Sequence, residues 1–390
     1  QYPGGTWDLN HQTGLAALPG LTLLECGVPA DDLHVQKAAQ FVRGSVPNLN
    51  ATYELALAIL FLDRLGDPKD EPFIRTLALR LMAGQEATGG WTYNCPVLSE
   101  KDEGSLLTIL QTTRPRAALD LSASMAGSDS LFIARVGDAP GAIGLPSSEE
   151  VQQARGLYDG LSPNLKGIPA LQPPIDENRI PRGDNTDNSN TQFATLGLWA
   201  AGRHGVPMQR ALARLGQRFQ ISQTLRGGWD YHFFYRPQQG APEGPSMTGA
   251  GLLGLAVGHG VTSDLKGADV KAAGEDPQVE MGMKALASFI RSMKDPGYLN
   301  GQMAGLYFLW SVERVGMLYG RRTIDGKEWY PWGVDLLLPR QQESGSWLTS
   351  GYFGATPVTD TCFALLFLKR ANLAKDLTTK VEFLTQVKKP

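Results

Sequence analysis

The sequence predicts an all-α protein, an (α/α)6 toroid of six helical hairpins in one domain spanning residues 1–390. Three observations predict it. The pattern Gln-x-x-x-Gly-x-Trp occurs four times, as Gln1 to Trp7, Gln85 to Trp91, Gln223 to Trp229 and Gln341 to Trp347. A run from threonine to a Gly-x-Pro recurs downstream of it, and the intervening segments alternate between apolar all round and amphipathic. A spacing that returns at intervals longer than any turn motif marks a repeat architecture, in which each unit buries its apolar face against its neighbours. A straight solenoid of helix pairs stays open as the alternative arrangement.

Each residue of the pattern suggests its work. The glutamine is expected to hydrogen-bond orphan carbonyls at a helix end, the glycine to supply a tight turn, and the tryptophan to cover that turn. The pattern therefore reads as a helix-ending clasp, with a weaker copy at Met293, Gly297 and Leu299. The second periodicity runs from Thr13 to Gly27, Thr52 to Gly66 and Thr191 to Gly205, each glycine opening a Gly-x-Pro. That is a helix opened by threonine, closed by glycine and followed by a proline placed to start the next helix.

Inner helices are expected near 11–26, 51–65, 190–204, 247–259, 301–316 and 358–371, where apolar residues on every side demand burial. Amphipathic partners are expected near 32–43, 72–85, 207–222, 277–293 and 331–342. The stretch 96–183 interrupts the repeat, with a helix around Leu106 to Leu110 and another from Ser148 to Tyr158, and reads as a lid or partner-binding insertion. A helix should precede the first clasp, and the segment Leu373 to Val387 is one candidate for that position.

Net charge is −3, and no basic run exceeds short pairs such as Arg321-Arg322, which excludes nucleic acid as a ligand class. No apolar stretch has the length of a membrane span without a charge or a glycine-proline break. A chain starting without methionine is compatible with loss of a secretory leader, so secretion or the periplasm is the expected location. Three cysteines, Cys26, Cys95 and Cys362, cannot all pair and leave the compartment undecided.

A Gln-x-x-x-Gly-x-Trp clasp closing an outer helix, followed by an apolar inner helix, resembles the repeat of the squalene cyclase and protein prenyltransferase superfamily. The resemblance covers most of the chain outside 96–183 and implies the toroid. It does not by itself imply an activity, because related toroids such as complement thioester domains and cobalamin carriers do other work. Class II terpene cyclases protonate their substrate with the middle acid of Asp-x-Asp-Asp at an inner-helix start. The matching stretch here is Asp187-Asn188-Ser189-Asn190-Thr191, which keeps the first acid and puts a serine in the donor's place. Capping of the helix by Asp187, Ser189 and Asn190 is the structural alternative.

Prenyltransferases hold zinc with Asp-x-Cys on one inner helix and a histidine on the next. Asp360-Thr361-Cys362 matches the first half of that pattern, and His11 lies one residue from the slot on the first helix. No cofactor is expected beyond a zinc ion on Asp360, Cys362 and His11. Asp176, Glu177, Asp184, Asp187 and Asn188 offer oxygen ligands for calcium, but with no recognisable loop spacing.

The positions two before each threonine slot, His11, Asn50, Ser189, Ser246, Asn300 and Thr359, would ring one mouth with polar groups. Trp199, Tyr307 and Trp310 would line the well beneath, with Asn190 and Asn300 at its rim, which is the general form of a small-molecule site. The function these features point to is binding of an apolar, isoprenoid- or lipid-like ligand or of a partner protein. A divergent isoprenoid cyclase or transferase using Asp187 and Asp360 at the helix mouths is the alternative. A carbohydrate-active toroid would need two opposed carboxylates, and only Glu54 and Asp360 stand on inner helices as obvious acids.

Overall fold

Helices that are apolar on every side have no stable place at a surface, and the chain buries them. The computed structural model describes residues 1–8, 10–112, 148–172, 175, 180, 183–266, 276–293, 305–347 and 354–386. The α-helices in order are α1 Gly14–Glu25, α2 Leu33–Ser45, α3 Thr52–Leu65, α4 Glu71–Ala83, α5 Glu100–Thr112, α6 Ser148–Asp159, α7 Pro163–Lys166, α8 Asn188–Ala201, α9 Gln209–Ser222, α10 Pro245–Lys266, α11 Pro277–Ser292, α12 Gly305–Leu318, α13 Trp329–Leu337, α14 Pro357–Lys369 and α15 Lys375–Gln386. Two short antiparallel ribbons complete the described structure: β1 Gly183–Asp187 with β2 His232–Phe234, and β3 Thr323–Ile324 with β4 Lys327–Glu328. The protein is all-α in class. Among the described residues no helix is long and apolar enough to cross a membrane.

The apolar helices are α1, α3, α8, α10, α12 and α14. Each packs on the next in that order, and α14 packs on α1, so the contacts close on themselves. Every residue of α8 is buried. The amphipathic helices lie outside them: α2 on α1, α4 on α3 and α8, α9 on α10 and α8, α11 on α10, and α13 on α12 and α14. In α2 only Val35, Ala38, Ala39 and Val42 are buried, the i, i+3, i+4, i+7 stripe of a helix with one wet face.

Helix ends follow the residue chemistry with one correction. Gly27, Gly66 and Gly205 all take positive φ after their helices, as the Gly-x-Pro signal predicts. The threonines, in contrast, do not cap. Thr191, Thr248 and Thr361 sit inside the first turns, and their hydroxyls donate back to carbonyls four residues earlier. Caps come from Asp187 on α8, Asp32 on α2, Asp276 on α11 and Thr356 on α14, whose side-chain oxygens accept the otherwise orphan first-turn N–H groups.

All four clasps form the same turn. The residue after the glutamine donates to the carbonyl four positions on, and the glycine N–H donates back to it, as in Tyr2 to Thr6 with Gly5 to Tyr2 and Glu86 to Gly90 with Gly89 to Glu86. The glycines take φ of 104°, 87°, 98° and 81° at Gly5, Gly89, Gly227 and Gly345, a region that penalises any Cβ. The expected division of labour is reversed. It is the tryptophan that satisfies an orphan carbonyl in the last turn of the outer helix, Nε1 donating ten residues back from Trp91 to Leu81 at 2.7 Å, Trp229 to Phe219 at 2.9 Å and Trp347 to Leu337 at 2.9 Å. The glutamine instead donates to its own glycine carbonyl and to the next outer helix: Gln85 to Ala211 and Gln223 to Gln278.

The described part of the insertion rests on the outer wall. Leu106, Ile109 and Leu110 of α5 are buried, α5 packs on α4 and α6, and Glu103 accepts from Thr76. The C-terminal helix takes a position other than the one in front of the first clasp. It packs on α10 and α12, because Asp376 accepts from Trp199 and Arg203 at the C-terminal end of α8.

Candidate functional site

Aromatic side chains from four apolar helices meet where those helices begin. Tyr307 and Trp310 of α12 are both there, as the sequence suggests, together with Phe193 of α8, Phe363 of α14 and Tyr53 of α3. The closest pair, Trp310 and Phe363, stack with ring centroids 4.9 Å apart, and Tyr53 meets Phe193 edge-on at 5.0 Å. The cluster continues outward through Tyr93, 6.2 Å from Tyr53, whose hydroxyl pairs with that of Tyr231 at 2.8 Å. Tyr93 is exposed. A track of rings therefore leads from the surface to the buried Trp310.

Below the rings lies a polar group of side chains. Ser189 Oγ and Tyr307 Oη are 2.6 Å apart, Gln192 Nε2 donates to Tyr307 Oη, and Gln192 Oε1 accepts from Arg314 Nη2. The Arg314 guanidinium lies 3.7 Å over the Trp310 ring and also donates to Ser311 Oγ at 3.1 Å. Stacking on an indole suits a weakly hydrated guanidinium. Several buried atoms here have no hydrogen-bond partner among the protein's atoms: Trp310 Nε1, Arg314 Nε and Nη1, and both carboxyl oxygens of Glu313. Buried polar atoms are nearly always paired, so a set of orphans in one region points to water or a ligand group as their partner.

Burial dominates the protonation equilibria of this region. It raises Glu313 well above the ordinary glutamate range despite the nearby Arg314 charge, and it lowers Arg314 to about 10. Tyr307 is likewise pushed up by burial. A carboxyl group taken out of water without partners favours its neutral form, which is the direction in which burial moves Glu313.

Asp187 is the cap of α8. Its Oδ1 accepts from the Asn190 backbone at 2.7 Å and its Oδ2 from the Asn190 side chain at 2.8 Å. Burial raises its pKa, with the Asn190 hydrogen bonds opposing. The neighbouring residues tie the second clasp to α9. Arg218, fully buried, donates to Asn188 Oδ1 and to Thr88, which in turn donates to Asp184. Asn188 and Asp184, candidate calcium ligands by type, are thus engaged within the protein; Asp176 and Glu177 lie outside the described residues.

The other sequence-predicted residues fall elsewhere. Trp199 is buried at the opposite end of α8, donating to Asp376 at 2.9 Å with Gly260 beside it, and is not part of the Tyr307–Trp310 cluster. Its place in the helix, two turns beyond Thr191, carries it past the mouth. Asn300 lies outside the described residues. Asp360 is buried in the first turn of α14, and Cys362 is buried beside Thr22 of α1, its thiol pushed up to about 12 by burial. His11 is exposed and takes a left-handed conformation at φ 46°. Among the described residues no three His, Cys, Asp or Glu side chains form a group that could hold a metal ion, and these three are no exception.

At the far end of the apolar helices a cleft of about 310 Å³ is lined by Leu21, Glu25, Asp63, Arg203 and Asp376 among others. Most of its charges are paired within the protein, Arg64 with Glu25 and Arg203 with Asp63 and Asp376.

No family model matches the chain, and no curated protein matches it. The site therefore rests on its own geometry. Phe193, Phe363, Tyr53, Tyr93, Tyr231, Gln192, Ser311, Glu313 and Arg314 are the members that sequence reasoning missed. A signal for the first two existed: each stands two residues after its threonine, Thr191 and Thr361. Glu313-Arg314, a charged pair inside an otherwise apolar helix, was another.

Proposed function

We propose that the chain is an α/α toroid, related in fold to the squalene cyclase and prenyltransferase repeat proteins, whose mouth binds a small molecule with an isoprenoid- or lipid-like body and a hydrogen-bonding end. The ring is supported by the contact of α14 with α1, which a straight stack of hairpins would not make. The binding reading is carried by one observation: a track of aromatic rings running inward from Tyr93 ends on buried polar atoms that have no partner, Trp310 Nε1 and Arg314 Nη1. Rings offer a sequence of apolar and cation-tolerant walls. The orphaned donors suit an oxygen of the ligand.

The test is a titration with isoprenoid alcohols and fatty acids, read by tryptophan fluorescence and melting temperature. Ligand at a hundredfold excess over Kd stabilises by about 2.7 kcal/mol, a rise of several degrees. Trp310→Ala should abolish the rise while Trp199→Phe preserves it. An unchanged melting point with every member of the panel would remove this reading.

A second reading, an isoprenoid enzyme started by acid, is favoured by Glu313 rather than by Asp187 or Asp360. Glu313 is a buried acid three residues beyond Trp310 on α12, with Arg314 and Glu25 as the charges acting on it, whereas Asp187 spends both oxygens on Asn190. Turnover of an isoprenoid lost in Glu313→Gln and kept in Asp187→Asn would support it. The reverse pattern would sink it.

A further inference from the structure

Arg314 is a buried cation that lacks an anion. The residue is 7% exposed and Trp310 beside it 1%, and among the described residues no carboxylate pairs with the guanidinium. Its Nη2 is spent on two neutral groups, Gln192 Oε1 and Ser311 Oγ, while Nε and Nη1 have no partner. The adjacent Glu313 does not serve as the counter-ion. Both of its oxygens lack a hydrogen bond, and burial moves it toward its neutral form. A guanidinium cannot escape in that way, because it keeps its proton in the interior of a protein. An unpaired buried charge is far more costly than an unpaired buried dipole, and the indole face beneath Arg314 offsets only part of it.

The orphaned nitrogens of Arg314 and Trp310 are all donors. The guanidinium carbon lies 3.7 Å from the centre of the Trp310 ring, so one small headgroup can touch both side chains. An alcohol or an ester oxygen would satisfy these donors and leave the charge uncompensated. A carboxylate does both, with oxygens that only accept.

The surroundings limit that anion to a single charge. Arg218, the other buried guanidinium near the start of α8, is committed to Asn188 and Thr88 and lies over Phe233. The field along the ring track is set by an acid instead: burial raises Tyr53, Tyr231 and Tyr307 most, and the Asp187 charge adds to it at all three. A diphosphate would bring several negative charges past Asp187 to one guanidinium.

Resting on the reading of the mouth as an isoprenoid- or lipid-binding site, we infer that its ligand is an apolar monocarboxylic acid. Arg314 and Trp310 hold the carboxylate, and the hydrocarbon body lies along Phe193, Tyr53 and Tyr93.

A series with one hydrocarbon body tests this: farnesoic acid, its methyl ester, farnesol and farnesyl diphosphate. Each is titrated against the full chain by tryptophan fluorescence, with one-to-one stoichiometry checked by native mass spectrometry. The acid should bind roughly ten- to a hundredfold more tightly than the ester or the alcohol, the worth of hydrogen bonds to a charged group. It should also bind more tightly than the diphosphate. Arg314→Gln should bring the acid down to the affinity of the alcohol and change the alcohol far less. That ratio is a readout which a merely structural role for Arg314 would not move, and the parent's own series decides if the variant does not fold. An acid that binds no better than the alcohol overturns the carboxylate and leaves the isoprenoid reading standing. A diphosphate that binds more tightly than the acid overturns the single charge, and an acid preference that survives Arg314→Gln overturns the role of Arg314. Binding of no member of the series removes the isoprenoid reading, and this inference falls with it.

Discussion

The clasps and the aromatic centre occupy neighbouring ground at the helix starts, yet they are built on opposite principles. A clasp repeats, and nearly every polar atom in it is paired: tryptophan to helix end, glutamine to turn and neighbour, glycine to main chain. The centre does not repeat, and it leaves Trp310 Nε1, Arg314 Nη1 and Glu313 without partners at full burial. Unpaired buried groups cost stability, and a fold can carry such a cost where another molecule relieves it. The difference teaches where to look in a repeat protein: the periodic residues maintain the frame, and the departures from periodicity mark the site.

The largest effect that would break this comparison is at Trp229. Removing an indole that is wholly buried and donates to Phe219 should cost about 3–5 kcal/mol in denaturant unfolding. Trp7→Ala, at a half-buried copy of the same position, should cost well under half as much. Equal losses would mean that the clasps are not held by the helix-end contact. Next is Gly227→Ala, where φ is 98° and the Met281 carbonyl leaves no room. A loss of about 2–4 kcal/mol is expected there, against about 1 kcal/mol for Gly345→Ala, which meets only the backbone penalty.

The centre is sharpened by pH. Because the folded state holds Glu313 protonated above the unfolded value, native protein binds more protons than unfolded protein between those two values. The contribution of Glu313 is therefore fully present below the unfolded pKa and falls as pH rises toward the folded one, by up to about 1.4 kcal/mol per pH unit. Glu313→Gln should remove that slope and be more stable than the parent at neutral pH. A parent and variant with parallel pH profiles would show that Glu313 is not buried and neutral. The smallest effect belongs to Gln341→Ala, whose exposed side chain bonds only its own turn. Its cost should stay below about 0.5 kcal/mol, while Gln85→Ala, which also holds α9, should lose about 1–2 kcal/mol.

The frame was legible because it is written in repeated local chemistry. Apolar runs, amphipathic stripes and the glycines of Gly-x-Pro placed most inner and outer helices to within a few residues, the exception being α10, which runs seven residues past the expected end at 259. What local reading mistook was direction and reach. Trp91 lies ten residues from the carbonyl it satisfies, and Gln85 reaches a helix more than a hundred residues away, so their roles could not be divided from spacing alone. The same limit applied at the site. Tyr307 and Trp310 were visible as aromatics on a buried helix. Their union with Phe193 and Phe363 depends on helix rotation, and that rotation is set by tertiary packing. Trp199 looked equivalent to them by residue type, and Asp376, from a helix far along the chain, holds it at the other end.

The most direct test of the central claim is native mass spectrometry of the purified protein with added isoprenoid alcohol, in parallel for the parent and Trp310→Ala. A one-to-one complex of the parent that is lost in the variant, with Trp229-anchored folding intact in both, is the predicted result. A parent that stays empty at every ligand concentration, or a complex that survives loss of the Trp310 ring, would contradict a binding site at the aromatic centre.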